Sequence, residues 1–355
     1  MTTGDLLHIR LVNQQIIDSK LKTPQQLVEW MAAMQAQEYA MAKWAIGLRL
    51  RGTTENVIEK AFNEGKILRT HLLRPTWHFV SPKDIRWMLE LTAPRIHQVN
   101  GLMCRKLGLD EKLLRKSVRV FVKALEGGKH LTRNALKEKL AKNQISCEGY
   151  SLGHIMIYAE LEGIVCSGPR EGSQFTYALL DERVPAQKRL KRSEALAELS
   201  KRYFSSRGPA TMQDFTTWSN LTVKDAREGV ASLGKKLVKE HTNGKEYFLL
   251  PSGPEITEPL PSFLMPDYDE YGMSYKDRRE IFDQDKYTAS VSRGNPVFNR
   301  MIVLNGRIEG TWKRTFEKGK AVIETFPFSK LDKTKKTALE KAVGDYLAFV
   351  GNAQE

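Results

Sequence analysis

Three times along the chain one order recurs: a capped helix, a second helix closed by glycine, then two short β-runs. A helix pair followed by a hairpin is the pattern of a winged helix-turn-helix, and three copies predict three tandem units. In the first, Thr23 caps a helix with Pro24 at its first position and Gln26 placed for a capping box. Leu27, Trp30, Met31 and Met34 mark its apolar face. The following helix carries Val57, Ile58, Ala61 and Phe62 and closes at Gly65. Lys66 to Leu72 and Thr76 to Val80 then form the wing around Arg74 and Pro75. The second unit starts near Thr132, restarts with Leu152, Ile155, Met156 and Ala159, stops at Gly163, and pairs Ile164–Ser167 with Phe175–Leu180. The third has Thr211 and Asp214, then Thr222 and Asp225, opening its helices. Gly234 closes the second of them, and Asn243-Gly244 turns between Leu237–Glu240 and Tyr247–Leu250. The closing glycines supply the left-handed residue that turns each helix into its wing. Their unequal spacing describes divergent units with long linking helices, not a solenoid of fixed period.

Beyond Pro251 the texture changes to a proline-rich stretch and short alternating runs, Met301–Leu304 and Arg307–Trp312 joined by Asn305-Gly306, and Ala321–Thr325. An amphipathic helix over Leu331–Val350 closes the chain. The fold class expected is therefore α+β. Three winged units would occupy 1–92, 93–184 and 185–252, followed by a small barrel-like β-rich domain with its closing helix over 253–355.

The chain has 56 Lys and Arg against 42 Asp and Glu in 355 residues, a formal net charge of +14 spread along its length. Such a surface suits a polyanion partner, although charge alone shows only a tendency to bind anions. No apolar run approaches the roughly 20 residues that cross a bilayer, and Met1 to Asp5 lacks the plan of a signal peptide, so a cytoplasmic protein is expected. Cys104, Cys147 and Cys166 are too scattered for a zinc site or disulfide scaffold and read as reduced packing residues. Two histidines, His71 and His78, without a metal-binding helix motif are poor metal evidence, so no metal and no cofactor are expected.

Where a short turn should join the two helices of the first unit, Met34 to Gly52 intervene. This insertion opens Gln35-Ala36-Gln37-Glu38, two amides flanking a small apolar residue, and continues through Lys43, Trp44 and Arg49. Glu38 reads either as a general base or as a helix-surface charge. Trp44 and Trp77 read as core residues before stacking platforms. The acidic cluster Asp267, Asp269 and Glu270 reads as a structural ion network with Lys276, Asp277 and Arg278.

Four stretches together resemble the AlkZ-like (AlkZ/YcaQ) bacterial DNA glycosylases, a winged-helix family. Gln35-Ala36-Gln37 is similar to its Gln-apolar-Gln catalytic motif. Arg69-Thr70-His71 with Arg74-Pro75-Thr76-Trp77-His78-Phe79-Val80 resembles its next signature. Tyr203 to Thr211 with Asp214-Phe215 and Trp218-Ser219 matches its third winged unit. Met265 to Tyr271, followed by Tyr275 to Arg278, leads into the β-domain the family implies. Arg207 stands where the family commonly has histidine, and Gly272-Met273-Ser274 replaces a more apolar stretch.

The resemblance implies a monomeric, monofunctional enzyme, bacterial and at work on the nucleoid, that excises cationic alkylated purines from duplex DNA, including crosslinked bases. Such a base is already a good leaving group, so the site needs to stabilise an oxocarbenium-like sugar and place a water. Gln35 and Gln37 would present carbonyl oxygens for this while their amino groups anchor to backbone or phosphate. Lys43, Arg69, His71, Arg74, Thr76, His78, Tyr268, Tyr271 and Lys276 are the candidate DNA contacts. The competing reading is a non-enzymatic winged-helix regulator, which would prefer one sequence where a glycosylase prefers a lesion.

Overall fold

A computed structural model describes residues 1–187, 189–250, 259–283 and 299–351. The prolines Pro251 and Pro254 and the basic Lys188 lie outside them. Among the described residues the chain is α+β, with fourteen α-helices and twelve strands in small antiparallel sheets.

Helices α1 (Thr3–Asn13) and α2 (Pro24–Met31) lead into a three-residue strand, β1 (Ala33–Gln35). Then come α3 (Tyr39–Gly47), α4 (Glu55–Asn63), β2 (Leu68–Leu72) and β3 (Thr76–Val80). Thr23 Oγ1 accepts the N–H of Gln26, as the cap requires, while Gln26 returns to the N–H of Lys22 and not to that of Thr23. Met34 is not on the helix: α2 stops at Met31 because Ala32 enters left-handed backbone at φ 58°, and Met34 follows on β1, buried. The inserted segment is therefore a strand and a helix. Its strand adds to the hairpin, in sheet order β1-β3-β2.

Two long helices link this part to the next, α5 (Ile85–Lys106) and α6 (Glu111–Leu125), followed by β4 (Leu131–Thr132), α7 (Arg133–Lys142), α8 (Ser151–Leu161), β5 (Val165–Ser167), β6 (Thr176–Leu179) and α9 (Leu180–Arg183). A third group comprises α10 (Arg192–Arg207), α11 (Met212–Ser219), α12 (Val223–Ala231), β7 (Val238–Thr242) and β8 (Lys245–Leu249). Gly65, Gly163 and Gly234 all have left-handed φ, of 73°, 66° and 54°. Gly234 does not end α12, however. That helix stops at Ala231, and a 3-10 turn over Gly234–Lys236 carries the chain into β7.

The C-terminal strands β9 (Phe263–Met265), β10 (Met301–Leu304), β11 (Arg307–Glu317) and β12 (Lys320–Pro327) pair in the order β12-β11-β10-β9. Among the described residues this is an open sheet, not the expected barrel, because β9 and β12 stay at opposite edges. The short helix α13 (Glu270–Met273) follows β9, and α14 (Lys333–Phe349) closes the chain against the sheet.

The largest cores join distant stretches. Trp44 packs on Tyr346 and Phe349 with ring centroids 5.1 Å apart in each case, and Tyr346 also meets Trp312. Gly47 permits this approach, since a Cβ there would lie 2.5 Å from the Phe349 ring. Met34, Phe79, Leu264 and Ile302 belong to the same buried cluster, so the stretches 1–92 and 253–355 share one core. Burial of this apolar surface fixes the position of the inserted segment against β9, β10 and α14. The three cysteines are buried and free, and burial pushes the Cys166 thiol up to about 12.

Candidate active site around the glutamine motif

Strand β1 is placed by strain that other residues hold. The left-handed Ala32 lies three residues before Gln35, a conformation that costs about 1–3 kcal/mol for a residue with a side chain. The guanidinium of Arg207, at the end of α10, donates from Nη1 to the carbonyl of Met31 (2.8 Å) and from Nη2 to that of Ala33 (2.7 Å), one on each side of Ala32. Arg207 also donates to Glu270 Oε2 from Nε (3.1 Å) and Nη2 (2.9 Å). Trp218 Nε1 and Ser274 Oγ donate to the same oxygen, and the other oxygen, Oε1, accepts the N–H of Gln35 at 2.9 Å. Both charges are fully buried. Burial pushes the Glu270 carboxyl up, but Arg207 and the Gln35 N–H outweigh it and hold the group at about 2. A buried ion pair this well hydrogen-bonded contributes little net stability but specifies one arrangement: the turn that presents Gln35.

The register Gln35↔His78 and Thr70↔His78 puts these three side chains in one row on one sheet face. Burial first, and then the Arg74 charge, pushes His78 down to about 3, so its ring is neutral and Nδ1–H donates to the Thr76 carbonyl. Its Nε2 has no hydrogen-bond partner. His78 is therefore a neutral buried residue behind Gln35, not a surface contact for phosphate.

Gln35 itself is buried, and its Oε1 accepts from Arg74 Nη2 at 3.3 Å and Thr76 Oγ1 at 3.4 Å. Gln37 is exposed beyond the strand, and its Oε1 accepts the Trp77 N–H at 3.4 Å. The anchoring is thus the reverse of the sequence expectation, since the carbonyl oxygens are held. All three contacts are at the long limit of a hydrogen bond, weak enough for a substrate group or water to replace them. Glu38 is exposed and caps α3, its carboxylate accepting the Ala40 N–H at 3.3 Å.

Several predicted contacts are internal supports. Lys43 is buried and bridges Glu55 and Glu59 at 2.7 Å each, so its charge is already neutralised. Arg69 is buried with Nε on the Ala36 carbonyl (2.9 Å) and Nη2 on that of Gln37 (3.4 Å), and its guanidinium lies over Trp77. Burial pushes it down to about 10. It holds the motif's backbone from beneath. His71 pairs through Nδ1 with the buried Glu160 and stacks on Trp77. Tyr271 is fully buried and donates to the Gly306 carbonyl at 2.7 Å. Arg74, Thr76 and Tyr268 are half-buried and Lys276 is exposed, and these four remain at the surface. Leu73 before Arg74 and Tyr268 have left-handed φ near 58° and 59°. Backbone strain of this kind clusters at functional sites.

The acidic cluster is an ion network, but not with the partners expected. Asp267 pairs with Arg300, Asp269 with Arg49 through two bonds of 2.8 and 2.9 Å, and Glu270 with Arg207. Sequence proximity suggested Lys276 and Arg278, whereas tertiary packing brings arginines from other elements. Among the described residues no group of three or more His, Cys, Asp or Glu is placed to hold a metal. Trp44 is core, with Nε1 on the Leu264 carbonyl at 2.6 Å. Reasoning from the sequence missed the roles of Arg207, Trp218, Arg49 and Glu160. The departure at Arg207 from the usual histidine was the available signal.

All four sequence signatures therefore meet at one place: the glutamine motif on β1, the β2–β3 hairpin beside it, and Arg207, Trp218 and Glu270 beneath it. A family model described as DNA glycosylase AlkZ-like matches residues 28–349. A curated relative, the interstrand DNA cross-link repair glycosylase of Streptomyces sahachiroi, is 23% identical over 297 residues, 80% of each chain. The solved structure of the Streptomyces sahachiroi DNA glycosylase AlkZ superposes with a TM-score of 0.75 at 19% identity, covering 98% of this chain and 96% of that one. With its family match across most of its length, and the motif and its supports assembled in one site, the chain belongs to the AlkZ-like DNA glycosylases, enzymes acting on N-glycosyl bonds.

Proposed function

We propose that this chain is a monofunctional, monomeric glycosylase that releases cationic alkylated purines, N7 or N3 adducts, from duplex DNA, with crosslinked bases among its substrates. In this reading three winged helix-turn-helix units, over 1–92, 93–184 and 185–252, and the C-terminal sheet clasp the duplex. The observation that carries it is the cradle: Arg207, Glu270 and Arg69 hold the backbone of a motif whose two amides stay only loosely engaged, and Trp218 braces Glu270. The relative's activity on crosslinks supports the wider substrate range.

Gln37, exposed, orients the attacking water, and Gln35, two residues earlier and buried, faces the developing positive sugar. Neither is a strong base. A cationic base leaves without prior protonation, so positioning and electrostatic stabilisation supply the catalysis, and loss of such a positioned group typically costs 10²–10³ in rate. Glu38 serves as a helix cap. Lys43, the lysine nearest the motif in sequence, is tied to two carboxylates, which supports hydrolysis without a lyase step. Arg74, Thr76, Tyr268 and Lys276 contact the DNA, and the buried candidates support them.

The test is base release from duplex DNA carrying N7-methylguanine by the wild-type protein and by the Gln35→Ala, Gln37→Ala double variant. Release by wild type alone is the expected result. DNA binding without release of any alkylated or crosslinked base, by either protein, would overturn the reading in favour of a non-enzymatic binder.

A further inference from the structure

The second group of helices carries a cationic surface that the excision site does not use. On α6, Lys112, Lys116, Arg119 and Lys123 recur at spacings of four, three and four, which puts them on one face, and all four are exposed. The opposite face, Leu114, Ser117, Phe121 and Leu125, is buried with Leu136 and Leu140 of α7, so the basic stripe cannot turn inward. Between α6 and α7 lies a groove lined by Lys116, Arg119, Lys123, Lys139 and Asn143, and no carboxylate lines it.

Many of the molecule's other cations, above all the buried ones, are neutralised. Lys43, Arg49, Arg86, Arg202 and Arg207 all meet carboxylates, and on α6 itself Arg115 is paired with Glu111. Among the described residues none of Lys112, Arg119, Lys123 and Lys139 has an acidic partner, and Lys116 donates only to the carbonyl of Asn143. The stripe from 112 to 123 is about 16 Å long at about 1.5 Å per residue, a length over which one DNA strand carries about five phosphates. In the winged pattern the helix before the hairpin would enter a groove of DNA. Here that helix, α8, buries Leu152, Ile155, Met156, Ala159 and Leu161, so its neighbours α6 and α7 are the elements left to meet a polyanion.

We propose that the α6–α7 groove binds the phosphate backbone of duplex DNA away from the excision site, without reading sequence. The proposal rests on the reading that the chain works on duplex DNA. It adds a contact surface that shares no residue with the glutamine site or its supports. Each lysine or arginine that neutralises a phosphate releases counterions, so the surface sets affinity and its salt dependence but not the chemistry.

The test compares wild type with the triple variant Lys116→Gln, Arg119→Gln, Lys123→Gln, and with a control removing equal charge from exposed lysines elsewhere, Lys330→Gln, Lys333→Gln, Lys336→Gln. Binding of an undamaged fluorescent duplex is titrated across a salt series, and melting curves verify folding. The groove variant is expected to bind about tenfold or more weakly at low salt, with a log–log salt slope smaller by about three, while the control stays near wild type. Single-turnover release of N7-methylguanine at saturating DNA is expected to stay unchanged. An unchanged slope, or an equal loss in the control, would overturn the groove. If wild type binds duplex through the groove but releases no base, the glycosylase reading fails while the groove stands.

Discussion

Basic residues meet opposite fates in two parts of this molecule. Around the glutamine motif Lys43, Arg49, Arg69 and Arg207 are buried, and each is committed to carboxylates or backbone carbonyls. Along α6 Lys112, Lys116, Arg119 and Lys123 are exposed and meet no acid among the described residues. The first set builds a site, because a desolvated charge persists only where it is fully hydrogen-bonded and so locks what it touches. The second set keeps its charge for a partner. A net charge of +14 therefore says little about where DNA binds until burial divides it into these two populations.

The comparison breaks most severely at Arg207. Arg207→Met strands the Glu270 carboxylate in the core and should cost about 3–5 kcal/mol of unfolding free energy by urea titration, with excision lost. Changing both partners, Arg207→Met with Glu270→Gln, should recover much of that stability but not the activity, because the Ala32 turn stays unclamped. Next in size, Gln37→Ala should lower single-turnover base release by about 10²–10³ with an unchanged melting temperature, since the side chain is exposed. Loss of DNA binding in this variant would mean a structural glutamine.

Lys43→Met sharpens the comparison from the buried side. It leaves Glu55 and Glu59 facing each other without their shared cation, and should cost about 1–2 kcal/mol while the salt slope for duplex binding stays at the wild-type value. His78 gives the pH signature. Its folded pKa of about 3 lies below the unfolded value, so the stability it contributes is present above about 6.5 and is lost as pH falls toward 3. The melting temperature should fall over that window, less steeply in His78→Asn. Glu270, held at about 2, adds to the fall below about pH 4.5. The smallest effect belongs to Lys276→Ala, within about 0.5 kcal/mol in stability, with a salt slope smaller by about one if this exposed lysine meets phosphate.

Much of the architecture was legible because it is local. The caps at Thr23, Thr132, Thr211 and Thr222, the left-handed glycines, and the Asn243-Gly244 and Asn305-Gly306 turns each depend on neighbours a few residues away. The errors share a cause too. Met34 was read as helical because its spacing fits a helix, and the C-terminal strands were read as a barrel because alternation sets which face a residue occupies but not whether the sheet closes. At the site, the Gln35 and Gln37 motif was visible, but Lys43, Arg69, His71, His78 and Tyr271 were taken for DNA contacts because charge and hydrogen-bonding capacity show nothing of burial.

The residue order thus decided where helices cap, where hairpins turn, which faces are apolar and which four signatures the chain carries, all properties of short-range sterics and hydrogen bonding. The partnership of Arg207 with Glu270 across 63 positions, the clamp on Ala32, and the choice of which lysines keep their charge came only with packing. These depend on which distant groups are desolvated together, and desolvation is a property of the assembled core.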